Sequence, residues 1–139
     1  MIVVDTNVIS ELMRPSPARV VADWVRAQSQ RELYTTAVTL AEVRYGIERL
    51  DAGRRKEQFA ITADEVFAAF GQYILPFDSA AALHYATIVS ARDRAGAPID
   101  GFDAQIAAIC RNHNAILATR NVKDFQGTGI EITDPWQVG

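Results

Sequence analysis

Four carboxylate residues stand near the ends of predicted secondary-structure elements: Asp5, Glu42, Asp103 and Asp124. Asp5 directly follows the apolar run at residues 1–4, which predicts a buried parallel strand. Open α/β sheets bind ligands beyond the carboxyl ends of their strands, where the following helices begin, so these acids are predicted to meet at one edge. Two carboxylates about 4 Å apart repel by roughly 4 kcal/mol at an effective dielectric constant of about 20, so such a cluster needs cations or protons. Ligand sets made only of oxygen suit Mg²⁺ or Mn²⁺ rather than zinc.

Helix capping offers a second interpretation of three of these acids. Asp5 is a favourable N-cap for the helix that follows it. Thr39 and Glu42 have the spacing of a capping box, in which the Glu42 carboxylate would accept a hydrogen bond from the Thr39 amide. Asp103 lies three residues after Asp100, itself a good N-cap, and the helix dipole favours acids in a first turn. Spacing alone leaves both interpretations open.

The hydrophobic pattern predicts an alternation of strands and helices. Strands are predicted at residues 1–4, 33–36, 73–77 and 115–119. Helices are predicted at residues 8–14, from Pro17 onward, and at 38–50, 54–71, 79–94 and 102–112. This alternation predicts an α/β sandwich with a central, mostly parallel sheet.

Composition predicts one ordinary globular domain spanning residues 1–139. The chain is 49% hydrophobic and 22% charged, and a domain of this length can bury a substantial core. The single Cys110 suggests a reducing compartment, and no apolar run approaches the roughly 18 residues of a membrane-spanning helix. Together with the lack of a signal peptide, this predicts a cytoplasmic protein. A net charge of -3 means that nucleic acid would have to be bound by local basic patches or through cations.

Five segments, in this order, resemble the PIN-domain ribonucleases, and especially the VapC-type toxins of the FitB-like branch. They are IVVDTNVISELMRP, TAVTLAEVRYGIERL, ILPFD, DAQIAAIC and LATRNVKDF, and they extend over nearly the whole chain. The resemblance implies a three-layer α/β/α sandwich. It also implies Asp5, Glu42 and Asp103 as catalytic, metal-binding residues, with Mg²⁺ or Mn²⁺ as the cofactor.

The fourth acidic position departs from the family pattern. The residue after the Thr-Arg pair is usually acidic, and here it is Asn121. Three interpretations stay open: Asn121 is a neutral ligand, Asp124 replaces the missing catalytic acid, or the site has three carboxylates. Thr6 and Thr119 resemble family positions whose hydroxyl groups help to hold the acids or bound water.

The resemblance implies a metal-dependent endoribonuclease that acts as the toxin of a toxin–antitoxin pair. Its implied partners are RNA, for which tRNA is a frequent family target, a cognate antitoxin that also binds DNA, and a second copy of the chain. We expect Arg14, Arg44 and Arg120 to contact RNA phosphates, whereas the run at residues 54–56 is more typical of a solvated helix face. The alternative is a weak or inactive PIN domain that binds RNA or protein.

Other chemistries fit the sequence less well. A metal-free ribonuclease commonly uses histidine, but His84 is predicted in mid-helix and His113 at a helix end, where a cationic cap is a simpler role. A resemblance to phosphatases with an aspartyl nucleophile would require a second aspartate two residues after Asp5, but that residue is Asn7. Cys110 and Trp136 are predicted to serve in packing.

Overall fold

The sheet at the centre of the molecule is entirely parallel over the residues that the computed structural model describes, 1–137. Its strands are β1 (Ile2–Val4), β2 (Leu33–Thr36), β3 (Ile74–Leu75), β4 (Ile116–Ala118) and β5 (Glu131–Thr133). Their order across the sheet is β3-β2-β1-β4-β5, so β1 is central and pairs with β2 and β4. The carboxyl ends of all five strands therefore lie along one edge.

Helices pack on both faces of this sheet. They are α1 (Thr6–Leu12), α2 (Arg19–Ala27), α3 (Ala37–Glu48), α4 (Arg54–Phe70), α5 (Ser79–Arg94) and α6 (Gly101–His113). All six begin within two residues of the predicted position; α2 begins at Arg19, two residues after Pro17, where it was predicted to start. None of the described helices is long and apolar enough to cross a lipid bilayer.

Alternating residues of the central strands supply two separate cores. Val3 and Leu117 pack with α5 and α6, where Cys110 is also buried as predicted. Val4 and Ala118 point the other way and pack with side chains of α1 to α4. Neighbouring residues of a strand face opposite sides of the sheet, so these short apolar strands are covered on both faces. The predicted three-layer α/β/α sandwich is confirmed.

One predicted strand is too long and one strand was not predicted. The strand predicted at residues 73–77 is reduced to Ile74–Leu75, because Pro76 has no backbone N–H to donate to the neighbouring strand. The edge strand β5 was missed, since its Glu-Ile-Thr sequence is only partly buried and too short for an alternating pattern to stand out.

Candidate active site

Asp5 is the most firmly held of the acids. One carboxylate oxygen, Oδ1, accepts a hydrogen bond from the Thr6 backbone amide at 2.8 Å. The other, Oδ2, accepts from the Thr119 hydroxyl at 2.8 Å and from the Asn7 side-chain amide at 3.3 Å. Burial raises the pKa of Asp5, and the hydrogen bonds from Thr119 and Thr6 offset that rise only in part. Asp5 is thus both the N-cap of α1 and a nearly inaccessible carboxylate at the end of β1.

Glu42 is coupled to α1 through a threonine hydroxyl. The Thr6 hydroxyl donates to Glu42 Oε1 at 2.8 Å. The capping-box interpretation is wrong, because the Thr36 hydroxyl, one turn earlier, accepts the hydrogen bond from the Thr39 amide. Glu42 therefore does not cap α3, and its carboxylate lies close enough to Asp5 for the two charges to interact. Its pKa is raised by burial first and then by the nearby carboxylates of Asp5 and Asp100, while the Thr6 hydrogen bond opposes the rise.

Asp103 lies at the same edge, in the first turn of the second of two consecutive helices. Its helix, α6, follows α5 rather than a strand, and α6 then leads into β4, so its first turn lies at the carboxyl edge of the sheet. Asp100 is the N-cap of α6, as predicted, and its carboxylate accepts the amides of Phe102 and Asp103. Burial, followed by the charges of Asp5 and other neighbouring acids, raises the pKa of Asp103 to about 7. It is half-buried, and the charges of four neighbouring carboxylates raise its pKa: Asp5, Asp100, Asp124 and Glu42.

A polar network ties the ends of β1 and β4 together. The Asn7 side chain donates to the Thr119 hydroxyl at 3.0 Å and accepts from the Arg120 backbone amide at 3.2 Å. The Asn121 amide also donates to the Thr119 hydroxyl at 3.0 Å. Thr6 and Thr119 thus have the supporting positions expected of them. Asn7 also supports the site, although sequence analysis used it only to disfavour a phosphatase; its signal was its place in the Asp-Thr-Asn run.

A cavity of about 590 Å³ opens above these side chains. Its lining comprises Asp5, Thr6, Asn7, Ser10, Glu11, Arg14, Glu42, Asp103, Arg120, Asn121 and Trp136. The cavity therefore brings together four carboxylates and two guanidinium groups. The excess of negative charge suits a cation at the bottom of the cavity and an anionic ligand at its rim.

The structure separates the two candidates for the fourth acidic position. Asn121 lines the cavity, whereas Asp124 does not; Asp124 is exposed in a short 3₁₀ turn. The Asp124 charge nevertheless contributes to the raised pKa of both Asp5 and Asp103. A direct catalytic role for Asp124 stays a prediction, and its position supports that role less well than the positions of Asp5, Glu42 and Asp103 support theirs.

The three predicted RNA-contacting arginines divide in the same way. Arg14 and Arg120 line the cavity. Arg44 does not, and its guanidinium is paired with the Asp64 carboxylate on α4. The Arg120 guanidinium lies over the ring of Trp136, with its carbon 4.8 Å from the ring centroid. Trp136 therefore packs, as predicted, but against a cation at the wall of the cavity.

Glu11 is a site residue that sequence analysis missed. It is buried at the cavity wall, accepts the Ala18 amide at 2.9 Å and pairs with Arg14 at 3.2 Å. This carboxylate fixes the turn between α1 and α2 and holds Arg14 beside the cavity. Glu11 lies near the end of α1, and no neighbouring residue in the sequence indicates that its side chain is buried rather than exposed to solvent.

The donors at the cavity suit a hard cation by their chemistry. They are carboxylate, hydroxyl and amide oxygens, the ligands that Mg²⁺ and Mn²⁺ prefer, and neither His84 nor His113 lines the cavity. Within residues 1–137, no three Asp, Glu, His or Cys side chains are close enough to hold an ion together as they stand. Repulsion between the carboxylates contributes to the raised pKa values of Glu42 and Asp103, and a bound cation would relieve it.

Comparison with known families identifies the architecture around this cavity. The family model described as the PIN domain matches residues 2–129. The chain belongs to the PIN-domain family. The match contains Asp5, Glu42 and Asp103 together with every strand except β5.

Individual relatives narrow this PIN domain to one branch. It is 39% identical over 138 residues to a VapC ribonuclease, Y4jK, of Sinorhizobium fredii, covering 99% of each chain. It is 35% identical to the toxin FitB of Neisseria gonorrhoeae, covering 98% of this chain and 99% of that protein. A solved structure of FitAB bound to a DNA fragment superposes with a TM-score of 0.91 at 34% identity, covering 100% of this chain and 98% of the other. The resemblance to the VapC-type, FitB-like branch is confirmed.

Proposed function

We propose that this PIN domain is a cytoplasmic, metal-dependent endoribonuclease and the toxin of a toxin–antitoxin pair. The observation that carries the proposal is the meeting of Asp5, Glu42 and Asp103 at one cavity, beside Arg14 and Arg120. The similarity to a VapC ribonuclease and to the toxin FitB supports the activity and the biological role. Metal dependence is inferred from the donor chemistry described above.

The three acids would share one part in phosphodiester hydrolysis, and two of them would have further parts. Asp5, Glu42 and Asp103 would hold Mg²⁺ or Mn²⁺. When bound, such an ion supplies positive charge to the scissile phosphate and favours ionisation of the attacking water. Asp5 already accepts three hydrogen bonds and serves best as a fixed ligand. Asp103, half-buried and open to the cavity, is better placed to accept the proton of the attacking water.

The arginines would place the substrate. An RNA phosphate approaching an acidic cavity meets unfavourable charge, and Arg14 and Arg120 stand on its walls to offset that charge. Arg120 rests on Trp136, so its guanidinium has fewer orientations to lose when a phosphate binds. We expect both arginines to act mainly on RNA affinity.

The proposed partners follow from the relatives. One solved relative is the FitAB complex on a DNA fragment, which supports an antitoxin partner for this chain and DNA contact through that antitoxin. A cation from the antitoxin would satisfy the same acidic cavity that we assign to the metal and the substrate. We also propose that the chain forms a homodimer, as the family resemblance implies.

An RNA-cleavage assay tests the catalytic proposal. Purified protein is incubated with tRNA and with unstructured RNA in Mg²⁺ or Mn²⁺, and the cleaved ends are sequenced. We expect cleavage to be lost with excess chelator and to fall by at least about 100-fold in Asp5→Asn, because the fixed ligand loses its charge. Asp51→Asn is the matched control, since Asp51 is exposed and does not line the cavity.

The same assay separates the catalytic proposal from the binding-module alternative. Equal cleavage by wild type and Asp5→Asn preparations would assign the activity to a contaminating nuclease. If wild-type protein bound RNA or antitoxin without cutting RNA in any metal, the inactive-domain alternative, for which the neutral Asn121 is the favouring observation, would replace the proposal.

A further inference from the structure

A second cavity adjoins the acidic one. It has a volume of about 300 Å³ and shares three lining residues with its neighbour: Thr6, Ser10 and Glu42. It extends away from Asp5 between α1, α3 and the start of α4. The two cavities therefore adjoin at these residues, and together they are called the depression here; the first contains the carboxylates and the second is mainly apolar.

The far wall of the second cavity carries a cation. Arg55 lines it, with the guanidinium carbon 5.6 Å from the centroid of the Phe59 ring, which lines it as well. The other two basic residues of the run are placed differently: Arg54 does not line the cavity, and the Lys56 ammonium bonds the Glu48 carbonyl at 3.0 Å. The basic run at 54–56 is thus not a uniform solvated face, because one of its members is directed to the depression.

A glycine keeps this compartment open. Gly46 lies in the interior of α3, where glycine costs roughly 0.5–1 kcal/mol relative to alanine. A Cβ atom at position 46 would meet no atom within 4 Å, so close packing does not require the glycine. Gly46 is exposed and lines the second cavity. A larger side chain at this position would project into solvent-accessible space beside Glu42, and its absence preserves the volume.

We propose that the second cavity is a nucleotide subsite for RNA, in which Arg55 binds the phosphate next to the scissile one and Phe59 contacts the adjoining base or sugar. The proposal rests on the ribonuclease function inferred above. An apolar compartment with one cation at its wall matches a nucleotide, which combines a ring system with a single negative charge. An acidic or purely apolar partner would match only one of the two features.

The subsite also explains how the phosphate can reach a buried acid. Asp5 is only 3% exposed, so the scissile phosphate must enter the depression rather than touch a convex surface. A single strand can bend its backbone into such a depression if the nucleotide beside the scissile bond is held there too. The subsite therefore predicts that activity depends on the length of a single-stranded substrate on one side of the cleaved bond.

Substrate truncation combined with substitution tests this proposal. Once the cleavage site is mapped, oligonucleotides are shortened one nucleotide at a time from each end, and kcat/KM is measured for each. For wild type we expect a drop of about tenfold when the subsite nucleotide and its phosphate are removed, as for the loss of a charge-assisted contact. In Arg55→Ala the ratio of kcat/KM between the long and the truncated substrate should fall toward one. Arg54→Ala, a neighbouring arginine outside the cavity, should keep the wild-type ratio.

Filling the cavity provides a test that leaves every charge in place. Gly46→Leu should lower the same ratio, and Gly46→Ala should lower it less, because a methyl group occupies little of the volume. Thermal melts of both variants verify that α3 folds; alanine should raise the midpoint. For RNA that is bound but not cut, Arg55→Ala should reduce the slope of log affinity against log salt by about 0.7, the value for one phosphate contact on a single strand.

Failure of the ribonuclease function and failure of the nucleotide subsite would give different results. Absence of metal-dependent cleavage by wild type contradicts the proposed function. Cleavage by wild type with the same length dependence in Arg55→Ala, Gly46→Leu and Arg54→Ala overturns the subsite and leaves the ribonuclease assignment intact.

Discussion

The two aspartates at the acidic cavity are held in opposite ways. Asp5, at the end of the central strand, is nearly inaccessible and accepts three hydrogen bonds from Thr6, Asn7 and Thr119. Asp103, at the start of α6, is half-buried, and every influence on its pKa raises it. The first carboxylate is fixed by the fold, while the second holds unfavourable charge that a cation or a proton would relieve. If both aspartates bind the metal that we propose, Asp5 is the rigid ligand on the sheet and Asp103 the responsive ligand on the helix.

The restraint on Asp5 can be weakened at Thr119. Thr119→Val keeps the side-chain shape but removes the hydroxyl that donates to Asp5 and accepts the Asn121 amide. Leaving these buried polar groups unpaired should lower the free energy of unfolding by about 1–3 kcal/mol and reduce RNA cleavage, because Asp5 would lose one of its three restraints. Chemical denaturation and kcat/KM measure the two effects.

Thr119→Ser is the control for that variant, since it retains the hydroxyl. We expect it to recover most of the activity, with a small loss of stability from the missing methyl group. Valine behaving like serine in both measurements would mean that the Asp5 position does not depend on this hydrogen bond.

The responsive side can be exposed by pH. The pKa of Asp103 is about 7 in the folded chain against an ordinary 3.8, so the folded state binds more protons than the unfolded state between these values. Its contribution to stability is therefore fully present below about pH 4 and is lost as pH rises to about 7. In metal-free buffer, Asp103→Asn should melt at a higher temperature than wild type at pH 7.5, by on the order of a few degrees, and the difference should shrink toward pH 4.

Adding Mg²⁺ or Mn²⁺ to the thermal melts tests whether the Asp103 charge interacts with a bound cation. Added at pH 7.5, either ion should raise the melting temperature of wild type and have a smaller effect on Asp103→Asn, because a bound cation neutralises the charge that the substitution removes. A pH-independent difference between the two proteins would show that Asp103 titrates normally in the fold.

This contrast also explains what the sequence revealed and what it concealed. Asp5 was placed correctly because an apolar strand followed by an aspartate is a local pattern with a defined position in a parallel sheet. The order of the elements around Asp103 was predicted correctly, but the place of its side chain depends on the packing of α6 against α5 and the sheet. The N-cap of α3 is Thr36 rather than Thr39. Threonine is favourable at an N-cap, so the sequence alone did not decide between these two residues. Glu11 and Trp136 reach the cavity through tertiary contacts that no short pattern encodes.

The fourth acidic position gives the smallest expected effect and tests whether a carboxylate there would join Asp5, Glu42 and Asp103 in binding metal. Asn121 lines the cavity and Asp124 does not, so Asn121→Asp should increase Mn²⁺ affinity several-fold, as added ligand charge does in other oxygen-ligand sites. It should also lower the metal-free melting temperature, because a further carboxylate joins an already repulsive group. Calorimetric titration with Mn²⁺ and thermal melts measure both.

Asp124→Asn removes a charge of the same sign from outside the cavity, so it should weaken Mn²⁺ binding only slightly and lower the pKa of Asp103. A large loss of Mn²⁺ affinity in Asp124→Asn, with none gained in Asn121→Asp, would instead identify Asp124 as the acid that replaces the missing family residue, and would require the 3₁₀ turn at Val122–Phe125 to move toward the cavity when metal binds.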